Sequence, residues 1–221
     1  MKRMKSYTRI LPPLALLGCL CTATPALAQV YSYYPPSGGD RPVQWYIDGG
    51  VSITSGQTST YFNDGWAIGG GVIFKPDPHG PFALRADLDY AYYSATSAFI
   101  NASGSPGNSG YMDTLTGSLD GLVRAPISPS ARFYAMAGIG IAWRGVYLGQ
   151  GGYYCNPFWY YCGGGGYYAS DYSTNFAWNA GLGVDFLLPY GQSWFIEARY
   201  ERIETSGAPT EVIPIRFGWR F

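Results

Sequence analysis

Histidine occurs once in 221 residues, as His79, which leaves no set of imidazoles to hold a metal ion. Charge is also scarce. Lys, Arg, Asp and Glu make up 13% of the chain, against roughly 25% in an ordinary soluble domain. The 14 basic and 14 acidic residues cancel, so there is no basic surplus to draw a nucleic acid. Cysteine is limited to four residues. No apolar run after the first 28 residues approaches the roughly 18 needed for a membrane-crossing helix. Aromatic residues, in contrast, reach 18%, with 21 Tyr and 7 Trp, beside 31 Gly. Disordered chains are poor in aromatics, so this composition argues for a folded, β-rich protein.

The N-terminus reads as an export signal. Lys2, Arg3, Lys5 and Arg9 form a basic region, Ile10 to Cys21 an apolar one, and Ala26-Leu27-Ala28 an A-x-A cleavage site. Leu16-Leu17-Gly18-Cys19 offers a competing lipobox, but it would cut the apolar segment short. Removal of residues 1–28 takes four basic residues and no acid, leaving ten against fourteen, a net charge of about −4. It also leaves only Cys155 and Cys162, which in an exported protein suggests one disulfide. Residues 29–43 are rich in Pro, Gly and Tyr and read as a flexible linker.

From Gln44 onward the sequence alternates with period two. Eight segments follow: Gln44–Thr54, Trp66–Lys75, Phe82–Tyr93, Tyr111–Ala125, Phe133–Tyr147, Asn175–Leu187, Trp194–Ile203 and Glu211–Phe221. One face of each carries bulky apolar residues; the other carries Gly, Ser, Thr and charge. Strands of this length are long enough to cross a bilayer when tilted. Trp45, Trp66, Trp143, Trp194, Trp219, Tyr90, Tyr92 and Tyr200 lie near strand ends, as interfacial girdles would. A soluble sandwich or lipocalin-like barrel also alternates, but would turn the bulky face inward and leave the Gly-rich face in water. The expected fold is therefore an all-β, eight-stranded antiparallel up-and-down transmembrane barrel over residues 44–221. Compact turns at Lys75–Pro81, Pro126–Pro129 and Pro189–Gln192 alternate with longer loops at Ser55–Asn63, Ser94–Gly110 and Gly149–Thr174, and the last loop, Ser206–Thr210, is short. Pro214 is a misfit in a closed sheet, where a bulge or a missing bond is expected.

The lumen face holds seven acids, Asp48, Asp87, Asp89, Asp120, Asp185, Glu197 and Glu201. It also holds seven bases, Lys75, Arg85, Arg124, Arg144, Arg199, Arg216 and Arg220. Eight strands enclose a space that side chains can fill, so these groups are expected to form a balanced ion-pair network that plugs it. Glycines 69, 71, 138, 140, 181 and 183 would make room for long Arg and Tyr side chains. Asp87/Asp89 and Glu197/Glu201 could also serve as catalytic carboxylate pairs, but the neighbouring Arg85 and Arg199 favour the network. His79, in a Pro-rich turn, is the one candidate base for a membrane-interface hydrolase. Gly138-Ile139-Gly140 and Gly181-Leu182-Gly183 do not complete a dinucleotide loop, and no G-x-S-x-G elbow occurs. No catalytic, metal or cofactor site is expected.

The segment Gly149–Thr174 is the most unusual. It contains Tyr153, Tyr154, Phe158, Trp159, Tyr160 and Tyr161, around a Cys155–Cys162 bridge that would close a short loop. Rigid aromatics on a pre-organised loop suit a binding surface; the alternative is a cap packed on the strand tops.

The terminal strand Ile213-Pro214-Ile215-Arg216-Phe217-Gly218-Trp219-Arg220-Phe221, with Ala137-Gly138-Ile139-Gly140 and Ala180-Gly181-Leu182-Gly183-Val184-Asp185, resembles the OmpA-type small outer-membrane β-barrels, including OmpX-like and opacity-type proteins. The resemblance covers Gln44–Phe221 and includes no peptidoglycan-binding domain of the kind full OmpA proteins carry. It implies an outer-membrane location in contact with lipid and lipopolysaccharide. Phe217, Trp219 and Phe221 would be the signal read by the barrel-assembly machinery. The expected role is structural: envelope integrity and display of extracellular loops. The alternatives are an adhesin or receptor binding a surface ligand through residues 149–174, or a narrow channel.

Overall fold

The computed structural model describes residues 41–78, 80–102, 109–156, 161–188 and 191–221, with residues 150–156 and 161–170 described as backbone. Eight strands form one closed antiparallel barrel in sequence order: β1 (Val43–Ser55), β2 (Gly65–Phe74), β3 (Phe82–Ser94), β4 (Gly110–Ser128), β5 (Ala131–Asn156), β6 (Tyr161–Leu187), β7 (Ser193–Ile203) and β8 (Thr210–Arg220). Each strand pairs with its sequence neighbours, and β1 closes the sheet on β8, with Ile47 opposite Trp219 and Val51 opposite Ile215. Closure matters because an open sheet would leave backbone polar groups unpaired in hydrocarbon.

The inward and outward faces agree with the sequence phase. In β1, Tyr46, Asp48, Ser52 and Thr54 are buried while Trp45, Ile47, Val51 and Ile53 are exposed. The outer surface is apolar along the middle of the strands, from Ile68 and Leu84 to Leu119, Ile139, Leu182 and Phe217, with an Arg202–Glu211 ion pair towards its outer edge. An exposed apolar belt of this extent has no place in water. With the short turns and both ends of the barrel assigned to the periplasmic side, as in such barrels, the aromatic residues sort into two girdles. On the periplasmic side Trp194 lies 4.9 Å from Phe217 and 4.7 Å from Trp219, ring centre to ring centre. On the outer side Trp66, Tyr92, Tyr111, Tyr147 and Tyr172 form a continuous ladder of ring contacts across five strands.

Three details depart from the sequence reading. The first strand starts one residue earlier than expected, at Val43, and the Pro42 carbonyl accepts a 2.7 Å bond from the Lys75 amide. The loops after β1 and β3 contain short helices, α1 (Thr58–Tyr61) and α2 (Ser97–Ala102). At Pro214 the gap is the expected missing pairing rather than a bulge: the β7–β8 ladder skips Arg199/Pro214 and Tyr200/Ile213 and resumes in the same register at Glu201–Val212. The register shift falls instead at Pro126/Ser128, where β4 turns into β5.

The largest departure is Gly149–Thr174, expected as a loop. It is a β-ribbon. β5 and β6 stay paired in register from Ala131–Phe186 to Asn156–Tyr161. The β4 partner of β5 runs out at Gly110–Leu148, and the β7 partner of β6 begins only at Ala177–Ile203. From Gln150 to Asn156 the ribbon pairs only with itself among the described residues, extending about 20 Å past the β4 rim. Its register sets Tyr153 opposite Gly164, Tyr154 opposite Gly163 and Cys155 directly opposite Cys162.

Candidate functional site

The lumen is filled by three stacked layers, each supplied by inward positions of the alternating strands. The periplasmic layer is largely apolar: Tyr46, Ile73, Leu122, Tyr134, Met136 and Phe195 pack together, all nearly or fully buried. Arg220 crosses it, its guanidinium 4.7 Å from the Tyr134 ring centre and 4.5 Å from that of Phe195, and pairs with Asp185 at 2.5 Å. Lys75 and Arg124 are buried at the same end, where Arg124 Nη2 donates to the Gly80 carbonyl at 2.9 Å.

The middle layer is ionic. Arg85 donates through Nε to Asp87 Oδ1 at 2.6 Å and to the Tyr46 hydroxyl at 2.8 Å, and through Nη1 to Glu197 Oε2 at 2.5 Å. Arg199 faces four carboxylates: Nη2 donates to Glu197 Oε1 at 2.9 Å and Asp87 Oδ2 at 3.0 Å, and Nη1 donates to Asp89 Oδ2 at 3.2 Å and lies 4.0 Å from Asp120 Oδ2. Arg216 donates to Asp89 and lies 3.5 Å from Asp48 Oδ1. Glu197 also accepts the Tyr134 hydroxyl at 2.8 Å, tying this layer to the one below. Asp120 accepts from Asn179 at 2.8 Å, and Glu201 accepts from Thr116 at 2.8 Å. Side chains in this layer are shielded from solvent, so the pairs are strongly coupled and the loss of one member is costly.

Above it lies a second apolar layer of Phe62, Ala67, Ala91, Tyr93, Ala95, Met112 and Val212. Tyr93 shares a 2.7 Å hydrogen bond with Ser52. The charged layer is therefore sealed on both sides.

The network holds Asp48, Arg85, Asp87, Asp89, Asp120, Glu197, Arg199, Glu201 and Arg216 together, as the sequence implied. Two corrections apply. The charges balance over the whole lumen but not locally, because six carboxylates share the middle layer with three guanidiniums while Lys75, Arg124 and Arg220 lie near Asp185 at the periplasmic end. Arg144 does not join the network. It sits half-buried at the outer mouth, where its Nε points at Met112 Sδ, 3.2 Å away. The period-two pattern assigns a face, not a height, so it could not separate Arg144 from the others.

Half of the inward glycines make room for Tyr or Asp: a Cβ on Gly183 would collide with the Tyr134 ring, and those on Gly69 and Gly138 would meet Asp89 and Asp120. A Cβ on Gly71, Gly140 or Gly181 would first meet the backbone of the neighbouring strand, with the Tyr46 hydroxyl next for Gly71. Phe217, Trp219 and Phe221 point outward and are exposed. Of the aromatic candidates on the ribbon, Tyr153, Tyr154 and Tyr161 lie on its paired backbone, while Phe158, Trp159, Tyr160 and also His79 lie outside the described residues. Among the described residues no cluster of His, Cys, Asp and Glu could hold a metal ion.

Solved structures of similar fold are outer-membrane barrels. Neisserial surface protein A superposes with a TM-score of 0.53 at 12% identity, covering 81% of this chain and 96% of that one. A major outer membrane protein of Thermus thermophilus gives a TM-score of 0.53 at 11% identity, covering 82% and 99%. These identities speak for the fold alone. No curated protein matches the chain. The family model described as "Outer membrane protein beta-barrel domain" matches residues 13–221. The chain thus belongs to the outer membrane protein β-barrel family and has its place in the outer membrane.

Proposed function

We propose that this protein is a non-catalytic scaffold barrel that supports the envelope and displays the β5–β6 ribbon at the cell surface. The observation that carries the reading is the contrast between a lumen filled by three packed layers and a ribbon that outruns every neighbouring strand. A solid interior suits mechanical support better than transport. Wide diffusion pores use about 16 strands. Export through a cleaved signal at Ala28, insertion guided by Phe217, Trp219 and Phe221, and contact of the belt with lipid and lipopolysaccharide belong to the same reading.

A second reading, adhesion or ligand capture, is favoured by the ribbon. Its Tyr-rich sequence supplies rigid contact area. Its register sets the two cysteines face to face, where opposed Cα atoms of an antiparallel pair lie within the span of a disulfide. A bridge there would staple the ribbon near its tip.

The two readings separate in a strain lacking the gene, complemented with the full chain or with residues 149–168 replaced by a two-residue turn that joins the paired Leu148 and Ala169. Scaffold function predicts that both restore detergent resistance and that adhesion is the same in all strains. Adhesin function predicts normal detergent resistance in both, with surface adhesion lost in the ribbonless strain. Failure of the full chain to restore either property would contradict both.

A further inference from the structure

Arg144 stands apart from every other lumen arginine, and what surrounds it has the form of a binding site. At the outer mouth of the barrel a cleft of about 220 Å³ opens between the α1 loop, the α2 loop and the β7–β8 loop. Its wall is a cluster of three aromatic rings: Phe99 contacts Phe62 at 5.3 Å and Tyr61 at 5.7 Å between ring centres. Phe62 belongs to the upper apolar layer, so the cleft is closed towards the lumen and open outward. Thr205 and Ser206 give it a polar rim.

Arg144 also lines this cleft. It comes from β5 and is anchored by Nε against Met112 Sδ. No carboxylate lies within ion-pairing distance of its guanidinium among the described residues, and the one carboxylate whose charge acts on it is Asp171, an exposed residue of β6. The other cations of the lumen are spent on the network or at the periplasmic end. A half-buried guanidinium without an ion-pair partner, beside an aromatic wall, is suited to an anion with a flat apolar body. The Nη groups can grip a carboxylate through two parallel bonds. The volume is below the roughly 300 Å³ at which drug-sized pockets begin, so the ligand has to be small.

We propose that the outer cleft binds small aromatic carboxylates, with the carboxylate on Arg144 and the ring against Phe99 and Phe62. This site is separate from the ribbon and needs no opening of the lumen.

The test uses the full-length barrel in lipid nanodiscs, with fluorine NMR of 4-fluorobenzoate as probe, 4-fluorobenzamide as its neutral counterpart and empty nanodiscs as the baseline. The expected result is saturable line broadening by the acid with a Kd on the order of 1 mM, as befits so small a ligand. The amide should bind at least tenfold more weakly. Arg144→Gln should lose at least tenfold for the acid, and Arg144→Lys, which keeps the charge but not the fork, severalfold. Phe99→Ala should weaken the acid and the amide alike, keeping the preference for the acid. Each variant is first shown to be folded by its heat-dependent gel mobility, and Arg144→Lys carries the test where Arg144→Gln does not fold. Equal affinity for acid and amide, unchanged binding in the folded Arg144 variants, or broadening no greater than in empty nanodiscs would overturn the proposal.

Discussion

Replacing Arg199 with Gln should lower the unfolding free energy of the barrel by about 3–5 kcal/mol, the range for removing one member of a buried ion pair. Arg199 holds four carboxylates, those of Glu197, Asp87, Asp89 and Asp120, within 4.0 Å. The middle layer already has six acids for three arginines, so a Gln there leaves more negative charge without a counter-charge in a space sealed from water. Glutamine keeps the length and some donors, so packing is largely retained and the loss reports charge. The measurement is reversible urea unfolding in lipid vesicles, followed by tryptophan fluorescence. A partner variant sharpens it: Arg199→Gln combined with Glu197→Gln should cost less than the two single losses added, because the double change removes both members of one pair. A loss below 1 kcal/mol for Arg199→Gln would show that the layer is hydrated and the lumen is not plugged as described.

Leu119→Arg should cost about 2–4 kcal/mol in the same assay, the range for a cation at the middle of a bilayer on a barrel's lipid face. Leu119 is 67% exposed and sits midway along β4 between Ala86 of β3 and Ile139 of β5. In water an exposed leucine exchanged for arginine would change stability little. The same substitution at Ile127, near the periplasmic end of β4 and also exposed, should cost 1 kcal/mol or less, because the cost falls towards the interface. The pair of positions therefore measures where the membrane lies on the sheet. Equal costs at both would contradict the assignment of the girdles.

The barrel was legible in the sequence because hydrocarbon on one side and a polar lumen on the other imprint the period-two pattern on every strand. Seven strand pairs and the closure from β1 to β8 follow that imprint, with boundaries close to those expected for β2, β3, β7 and β8. The ribbon was not legible for the same reason. Residues 150–156 and 161–167 stand beyond the outer girdle, so neither face meets lipid, the alternation lapses, and Gly163–Gly166 reads as a flexible return although it pairs in register with residues 151–154. Hydrogen bonding to the opposite strand, not side-chain partition, sets that structure. The lumen network was half legible: the face of each ionisable residue could be read, but its height could not. Height depends on the stagger between strands, which brings Arg85 of β3 onto Glu197 of β7 and leaves Arg144 alone at the mouth.

On the proposed reading, the packed interior makes this barrel a support rather than a conduit. Single-channel recording on the purified protein in planar bilayers tests it most directly. The account predicts no stable conductance above that of the bare bilayer, because the ionic layer is closed below by Tyr46, Tyr134 and Phe195 and above by Phe62, Tyr93 and Met112. A persistent, reproducible open state in the wild-type protein would contradict it and would make the acid-rich middle layer a cation path.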